Sequence, residues 1–420
     1  MLRYSDVFVP GGFPQHTYNP RERLDLEERL AEVEKNLCKL VVVTGQTKSG
    51  KTVLTRKVLP PEQAVWVDGG SVTEEQDFWQ IVMETLDLFD TAEVETSKES
   101  SGSITGTGKA GANFIIAKGE AELGGTIGHT RGAATRSGRT VSPRVAVIGG
   151  LRKRPRAVVV DDFHYIPKPL QASIVRALKP LIFDGLPVVI IAIPHRRYDA
   201  MKVEKEMTGR IQPMQIPAWT DEELAFIPQK GFDLLGYQLG LGTIGELAAQ
   251  AIGSPHLMQD FCRGLCVRLR IDAEREPAPL EVDRDDLEFV FRDIAESIGR
   301  TIFEKLARGP RQRTDRIQRV LKDGSQVDIY ELVLHALAHL RPGLVSLEYE
   351  DLRGAIRDVS AQQIPQLHEV SRVLRHMASI AANDQASTPV IDFEEDEQKL
   401  HITDPFFAFY LRWGRLHASE

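Results

Sequence analysis

The sequence predicts an α/β fold, a parallel sheet with helices on both faces, followed by a helical lid and a C-terminal winged helix domain. Three observations support this prediction. Over residues 40–193, short apolar runs typical of buried strands alternate with amphipathic helical patterns. Residues 221–266 are helical, with interruptions at glycine and proline. From residue 328 onward, three helical segments precede two short strand-like runs.

The first predicted strand, residues 40–43, follows an amphipathic helix over residues 21–36 and runs into the pattern G-x-x-x-x-G-K-T. Between a strand and a helix, this pattern is typical of a loop that binds phosphate groups. Its glycines let backbone N–H groups point at phosphate oxygens, and the helix N-terminus adds a favourable dipole. The alternative is a chance glycine-rich turn, which the preceding strand disfavours. The loop consists of Gly45, Gln46, Thr47, Lys48, Ser49, Gly50, Lys51 and Thr52.

Two residues of this loop have specific chemical tasks. Lys51 is expected to reach the β- and γ-phosphates, and the Thr52 hydroxyl is expected to bind Mg²⁺. The sequence therefore predicts a site for a nucleoside triphosphate and Mg²⁺.

A second short strand is predicted at residues 64–68, and a helix at residues 74–89 with Ser71 or Thr73 as its N-cap. The following segment, residues 92–150, is rich in glycine, serine and threonine, and its alternating part, residues 112–127, predicts a hairpin. Residues 123–160 contain basic but no acidic side chains, in a chain of net charge −8. The insertion either contacts a phosphate backbone or is a solvated loop.

Residues 156–162, RAVVVDD, are predicted to form a buried strand that ends in two carboxylates. Asp161 is expected to hold the Mg²⁺ shell, and Asp162 to orient or deprotonate the attacking water. Two such acids without a function would be costly unless each were paired. We expect this strand end and the phosphate loop to lie side by side on adjoining strands.

A further buried strand is predicted at residues 187–193, after a helix over residues 171–183. Polar residues after its end would face the nucleotide if the sheet is parallel. Arg196, Arg197 and Arg210 compete for two roles, a sensor within the same subunit or an arginine finger presented to a neighbouring subunit. The alternative for each is a surface arginine without a catalytic role.

In the predicted lid, Gly253 ends one helix and Ser254 caps the next, with Pro255 in its first turn. Cys262 and Cys266 are expected to pack in the core rather than bind metal, because no second ligand pair lies nearby. Residues 275–281 are interpreted as a linker, residues 284–307 as a long helix, and residues 308–323 as a basic, solvated helix face.

The last third predicts a winged helix module, with helices at residues 328–340, 346–359 and 365–382 and a two-stranded wing. The third helix offers Arg372 and Arg375 as phosphate partners, but the wing carries acidic residues over 392–397 that DNA would repel. We therefore expect a structural or protein-binding module, with DNA binding as the alternative.

The chain resembles the AAA+/STAND group of P-loop ATPases, in particular the branch of STAND-type ATPases and origin-recognition initiators. The motifs that carry the resemblance are the phosphate loop, VVVDD at residues 158–162, the Gly253-Ser254-Pro255 turn and ITDPFFAFYLR at residues 402–412. The resemblance implies ATP rather than GTP, with residues 18–21, including Arg21, near the adenine and Pro255 over it. It also implies ATP-driven oligomerisation with an arginine donated between subunits.

Two departures from this pattern stand out. His256 occupies the place where AAA+ relatives often carry a sensor arginine, which predicts slow hydrolysis or a substitute charge from Arg210. The chain also has no room for the effector and repeat domains of STAND proteins, so it would act with a separate effector protein.

The sequence thus predicts three domains, a P-loop core at residues 1–218 with the insertion at about 92–150, a lid at 219–310 and a winged helix domain at 311–420. Three cysteines and the lack of a long apolar stretch predict a cytoplasmic protein that does not enter membranes. The first hypothesis is an ATP-dependent molecular switch that forms homo-oligomers or recruits a partner, for instance in prokaryotic defence. The second is a DNA-associated ATPase of initiator or transposition-helper type, and the third is a scaffold that binds nucleotide without turnover.

Overall fold

The computed structural model describes residues 1–88, 142–193, 207, 209–310, 316–344, 346–383 and 389–414. The predicted hairpin at residues 112–127, together with Arg196 and Arg197, lies outside these residues. The chain forms two compact units, one made of Met1–Thr73 and Arg156–Glu420 and the other of Glu74–Pro155.

The described residues form short strands and mostly short helices, numbered here in chain order. The strands are β1 (Leu40–Thr44), β2 (Ala64–Asp68), β3 (Ala157–Asp161), β4 (Val188–Ala192), β5 (Ile211–Gln215), β6 (Tyr237–Leu239), β7 (Ala278–Leu280), β8 (Arg319–Val320), β9 (Gln326–Val327), β10 (Ser346–Glu348), β11 (Ile391–Glu394) and β12 (Lys399–Ile402). The helices are α1 (Tyr4–Val7), α2 (Leu26–Ala31), α3 (Lys51–Val58), α4 (Glu75–Thr85), α5 (Pro143–Lys153), α6 (Lys168–Phe183), α7 (Asp221–Leu234), α8 (Leu241–Gln250), α9 (Pro255–Arg268), α10 (Arg284–Arg308), α11 (Ile329–His339), α12 (Tyr349–Val359), α13 (Leu367–Asn383) and α14 (Pro405–Trp413).

The larger unit is built around a five-stranded sheet with the order β2-β3-β4-β1-β5. Every pairing is parallel, with Leu40 opposite both Val188 and Ile211. All residues of β1 and β4 are buried, as expected for strands covered on both faces. On one face, Leu30 of α2 and Leu54 of α3 share a core with alternate residues of the strands. The predicted parallel sheet flanked by helices is confirmed.

The strand order corrects one expectation. The phosphate loop follows β1 and the two carboxylates follow β3, but β4 lies between these strands and pairs with both. They are therefore not adjoining. The contact between the two segments depends on side chains that reach across the end of β4, as described below.

The smaller unit, as far as the structure describes it, consists of α4, α5 and the residues that flank them, and the two helices contact one another. Phe78 and Trp79 are buried, and Arg144 forms an ion pair of 3.1 Å with Glu75. The N-cap of α4 is Glu74, whose backbone N–H is accepted by the Asp77 carboxylate at 2.8 Å, and not Ser71 or Thr73. A carboxylate pair is favourable at this end of a helix because it opposes the helix dipole.

After β5, helices α7 to α10 form the segment predicted to be a lid. Ser254 caps α9 as predicted, since its hydroxyl accepts a hydrogen bond from Leu257 N at 3.3 Å. Residues 275–281 are not a plain linker, because β7 lies within them and pairs with β6. Residues 316–327 contain the hairpin β8-β9 instead of the predicted helix face. Cys262 and Cys266 are fully buried, as predicted.

The C-terminal part contains α11, α12 and α13 with a three-stranded antiparallel sheet of order β10-β12-β11. This is the arrangement of a winged helix domain, with one strand more than the sequence predicted, because Ser346–Glu348 precedes α12 as a strand. The last helix, α14, contacts α10, and Phe409 packs 5.0 Å from Phe261 and 6.0 Å from Phe291, centroid to centroid. Through these rings α14 joins the C-terminal part to α9 and α10.

None of the helices in the described ranges is long and apolar enough to cross a membrane.

Candidate functional site

The phosphate loop lies at the carboxyl end of β1 and leads into α3, which begins at Lys51. Gly50 occupies the N-cap with φ +86°, a conformation that a side chain would strain. Lys48 adopts a left-handed conformation with φ 61°. The glycine pattern therefore has the local role that the sequence predicted, a tight turn immediately before a helix N-terminus.

The ammonium of Lys51 lies inside this loop. Its Nζ donates hydrogen bonds to the carbonyls of Gly45 at 3.0 Å and Gln46 at 2.8 Å. Burial lowers the pKa of Lys51 to about 8, although the charges of Asp162 and Asp161 oppose this shift. The loop thus encloses a cation whose only hydrogen-bond partners in the described structure are neutral carbonyls, which is the environment that an anionic ligand would complete.

Thr52 and Asp161 meet at the end of the sheet. The Thr52 hydroxyl donates to Asp161 Oδ1 at 3.3 Å, and the same oxygen accepts the backbone N–H of Asp162 at 2.9 Å. Burial and the neighbouring Asp162 charge raise the pKa of Asp161. Mg²⁺ prefers a hydroxyl and one or two carboxylates together with phosphate oxygens and water, so this oxygen pair fits the ion. No group of three or more His, Cys, Asp or Glu in the described ranges could hold a metal ion by itself.

Asp162 follows the strand in a left-handed conformation with φ 48°, which turns its side chain out of the strand direction. The backbone that creates this turn packs against Gly69, where an added Cβ would lie only 2.4 Å from the Asp162 carbonyl oxygen. Gly69 is therefore required by this close approach. Partial desolvation raises the pKa of Asp162, and the positive charge of Lys51 opposes that effect.

These residues line a cleft of about 590 Å³, a volume within the usual range for small-molecule sites. Ten of the predicted site residues line it, six from the loop and four from elsewhere: Thr47, Lys48, Ser49, Gly50, Lys51, Thr52, Arg21, Asp161, Asp162 and Pro255. Gly45 and Gln46 do not line the cleft, but their carbonyls hold Lys51. The N-terminal segment also lines the cleft, including Phe13 and Tyr18, whose rings stack with their centroids 6.3 Å apart.

Arg21 lines the cleft but is engaged by the protein. Its guanidinium donates to the carbonyls of Pro217 and Ala218, each at 2.9 Å, and forms an ion pair of 2.7 Å with Glu223. It also lies 4.8 Å from the centroid of the Trp219 ring. Arg21 is only 6% exposed. It therefore fixes the connection between β5 and α7 at the wall of the site.

His256 does not replace a sensor arginine as a cation. Burial lowers its pKa to about 4, and the charge of Lys48 contributes to this shift, so the ring is neutral near pH 7. Its Nε2 lies 3.6 Å from Asp260 Oδ2, and burial raises the pKa of Asp260 to about 6. The 3.6 Å separation alone would suggest an ion pair, but both pKa shifts favour the neutral forms, and at this length the contact is a weak one.

The structure does not bring Arg210 to this cleft. Arg210 directly precedes β5, its carbonyl accepts the N–H of Leu40 at the amino end of β1, and its guanidinium lies 5.2 Å from the Phe183 ring. In a parallel sheet this is the edge opposite the phosphate loop, about 16 Å away over five strand residues. A sensor role within the same subunit is therefore wrong for Arg210, and a role toward a neighbouring subunit stays a prediction. Arg197 lies outside the described residues.

Two residues that sequence reasoning did not assign also belong to the cleft. Trp219 donates its indole N–H to the Ser49 carbonyl at 2.9 Å and so links the start of α7 to the phosphate loop. Asp404, the N-cap of α14, lines the cleft although it lies about 350 residues beyond the loop in sequence. The pattern Thr403-Asp404-Pro405 signals a helix start, but no local signal indicates where that helix docks.

No protein-family model matches the chain, and no curated protein does. Solved structures are similar in fold. The Walker-type ATPase of Pyrococcus abyssi is 17% identical with a TM-score of 0.52, over 95% of this chain and 99% of that chain. The ORC2 protein of Aeropyrum pernix, in its ADPNP–ADP complexes, is 13% identical with a TM-score of 0.51, over 98% of this chain and 96% of that chain. The chain thus has the fold of AAA+ P-loop ATPases.

Proposed function

We propose that this protein binds and hydrolyses Mg²⁺-ATP and uses the nucleotide state to control a partner. The observation that carries the proposal is the 3.3 Å contact between the Thr52 hydroxyl and the Asp161 carboxylate. These residues are 109 positions apart, on different sides of the central strand β4, and they meet beside the buried ammonium of Lys51. A fold that only needed stability would gain little from collecting such charges at one strand edge.

The chain's own groups divide the chemistry among them. The loop N–H groups and Lys51 hold the β- and γ-phosphates, with Lys51 exchanging its two carbonyl partners for phosphate oxygens. Thr52 and Asp161 hold Mg²⁺, which when bound neutralises charge on the phosphates. Asp162, whose pKa is raised by desolvation, orients the attacking water and accepts its proton. Pro255 and the stacked rings of Phe13 and Tyr18 also line the cleft, and the resemblance to AAA+ ATPases places adenine near Pro255 and residues 18–21.

Three kinds of partner are compatible with this proposal: duplex DNA, a separate effector protein and a second copy of this chain. The fold likeness to an origin-recognition protein supports a DNA-associated role of initiator type over a role in prokaryotic defence. The wing argues against DNA binding, because its carboxylates already form ion pairs with the nearby basic side chains Arg375 and Lys399. We therefore put the ATP-dependent switch first, with duplex DNA as the leading candidate partner and a separate effector protein or a second copy of this chain as the others.

The test is ATP affinity by isothermal titration calorimetry for the full chain and four variants. Lys51→Ala should weaken ATP binding at least about 100-fold, because it removes the ammonium that the loop carbonyls of Gly45 and Gln46 enclose, and Lys48 is the one loop cation left to face the phosphates. Lys35→Ala, an exposed lysine outside the cleft, is the matched control and should bind like wild type.

Asp161→Asn tests the metal half of the site. In wild type, Mg²⁺ should strengthen ATP binding, and in Asp161→Asn this enhancement should shrink by about tenfold while binding without Mg²⁺ is retained. Asp184→Asn, at the far end of α6, should keep the full enhancement. Unchanged affinity in Lys51→Ala, or an unchanged Mg²⁺ effect in Asp161→Asn, would contradict the proposal.

A further inference from the structure

The first turn of α14 touches the phosphate loop and the lid at once. The Lys48 ammonium lies 5.3 Å from the centroid of the Phe406 ring, and the His256 ring forms a T-shaped pair with the same Phe406, with the two centroids 5.0 Å apart. Asp404, 8% exposed, lines the cleft together with Lys48. We call Asp404–Phe406 the latch turn. It brings the C-terminal part of the chain into the wall of the nucleotide site.

The charge of Asp404 is compensated by backbone N–H groups of its own helix and by no paired basic side chain. Its carboxylate accepts the N–H of Phe407 at 2.9 Å, a backbone hydrogen bond from Phe406 also favours the charged form, and no basic side chain of the described residues lies within salt-bridge distance of it. Burial raises its pKa, and the charge of Lys48 acts in the opposite direction. In the structure described here, Lys48 is thus the side chain whose positive charge favours a buried carboxylate at this position.

Lys48 is free to move. Its side chain is exposed, makes no hydrogen bond or ion pair with a described residue, and contacts Phe406 through a cation–π interaction that is weak at exposed sites. A lysine carries its charge on a flexible stem, so redirecting it costs little compared with moving a helix. Phosphate oxygens in the loop would offer it a much stronger partner than an aromatic ring.

We propose that triphosphate and the latch turn compete for Lys48, so that nucleotide binding draws this lysine away, sets its own negative charge against Asp404 and displaces the latch turn from the cleft. This inference rests on the proposed function. The displacement is local, because the rest of α14 stays packed through Phe409 against α9 and α10. It gives the C-terminal part a direct response to the occupancy of the phosphate loop.

Reciprocity fixes the sign of the effect. If nucleotide opposes the latch turn, then the latch turn opposes nucleotide by the same factor. Removing the Asp404 charge should therefore strengthen nucleotide binding, whereas a residue that holds nucleotide would weaken it when removed. Asparagine caps helices as well as aspartate does, so Asp404→Asn changes the charge and keeps the cap.

The experiment measures two quantities on the full chain, the affinity for a non-hydrolysable ATP analogue and the hydrogen exchange of a peptide spanning residues 403–408. In wild type, the analogue should speed exchange in this peptide, where Phe407 N–H loses its acceptor. Asp404→Asn should bind the analogue about tenfold more tightly, within the usual range for coupling between sites, and its exchange should no longer respond.

Two further variants keep the result interpretable. Lys48→Gln, a change at an exposed position, should show fast exchange in the 403–408 peptide without nucleotide and little further response. Asp283→Asn removes an N-cap carboxylate of the same kind from α10, outside the cleft, and should match wild type in both measurements. Binding to wild type with unchanged exchange, or weaker binding to Asp404→Asn, would overturn the latch alone. Failure of wild type to bind the analogue would overturn the proposed function itself.

Discussion

The cleft and the wing both contain several charged side chains, but only those of the wing are paired in salt bridges with one another. In the cleft, Lys51, Asp161 and Asp162 form no salt bridge with any described residue, although they lie close enough to shift one another's pKa values. In the wing, Arg375 is paired with Glu395, and Lys399 with Glu397 at 2.9 Å. These three cleft residues have neutral hydrogen-bond partners or none and no paired opposite charge among the described residues, whereas the wing pairs its charges with one another.

The difference indicates that the cleft is suited to an ionic ligand, whereas the charges of the wing are already neutralised within the protein. Buried charges without partners are expensive and are retained where a ligand completes them. Exposed pairs such as Arg375 and Glu395 contribute little to stability, but they reduce the charge that a long-range partner would meet. The acidic loop of the wing therefore reduces the positive charge on the basic face of α13, because Glu395 pairs with Arg375.

The largest expected effect comes from removing the charge of Asp162, the proposed catalytic base, from the cleft. Asp162→Asn should lower single-turnover ATP hydrolysis by about 100-fold or more, the usual share of a general base, and leave ATP affinity within about twofold. Asp184→Asn is the matched control, since it removes an exposed carboxylate at the opposite edge of the sheet. Hydrolysis by Asp162→Asn at the wild-type rate would remove the role assigned to this carboxylate.

A smaller effect concerns the titration of His256 and Asp260. The His256 pKa is lowered from 6.5 to about 4, so the unfolded state binds the extra proton over this window and stability rises with pH. The Asp260 pKa is raised from 3.8 to about 6, so the folded state keeps a proton that the unfolded state loses and stability falls with pH. In wild type the two dependences oppose each other.

Single variants should expose each dependence in urea unfolding between pH 4 and pH 6.5. His256→Gln should lose stability as the pH rises and Asp260→Asn should gain it, each by about 1–2 kcal/mol after allowance for partial exposure. His339→Gln, from a half-exposed pair with Asp358 at 3.8 Å, is the control and should follow wild type. If the free energy of unfolding changed with pH in the same direction in both variants, the opposite pKa shifts of His256 and Asp260 would be contradicted.

The smallest effect tests the wing. Glu395→Gln should leave the unfolding midpoint unchanged, because the pair with Arg375 is solvent-exposed, and should make log affinity for duplex DNA steeper against log salt by about one unit. Glu288→Gln, which removes the ion-pair partner of two exposed arginines on α10, Arg284 and Arg292, should not change DNA binding. An unaltered salt dependence in Glu395→Gln would mean that Arg375 does not face DNA, which weakens the initiator-type role.

The parts of the site that the sequence predicts are those encoded locally. The loop from Gly45 to Thr52 and the carboxylates of Asp161 and Asp162 each follow a run of buried β-branched residues, so both strand and motif are visible in a short window. The insertion of β4 between their strands is a property of the whole sheet. No spacing along the chain encodes it.

Other features escaped prediction for physical reasons. The strand β7 contains Pro279 and follows Pro277, and proline in a strand is tolerated here because β7 pairs on one side with β6 alone. The polar strand Ser346–Glu348 lacks a buried alternating pattern and reads as the start of a helix. The docking of Asp404 into the cleft depends on the tertiary packing of α14, which periodicity cannot reveal.

The hydrogen bond between Trp219 and the Ser49 carbonyl has a practical consequence. The chain has four tryptophans, and Trp219 is the one that lines the described cleft. Its indole N–H is hydrogen-bonded to the backbone of the loop proposed to bind phosphate. The native protein therefore contains an intrinsic fluorophore beside this loop. We expect the fluorescence emission of Trp219 to change when a ligand occupies the cleft, so that binding can be followed in real time without an attached dye.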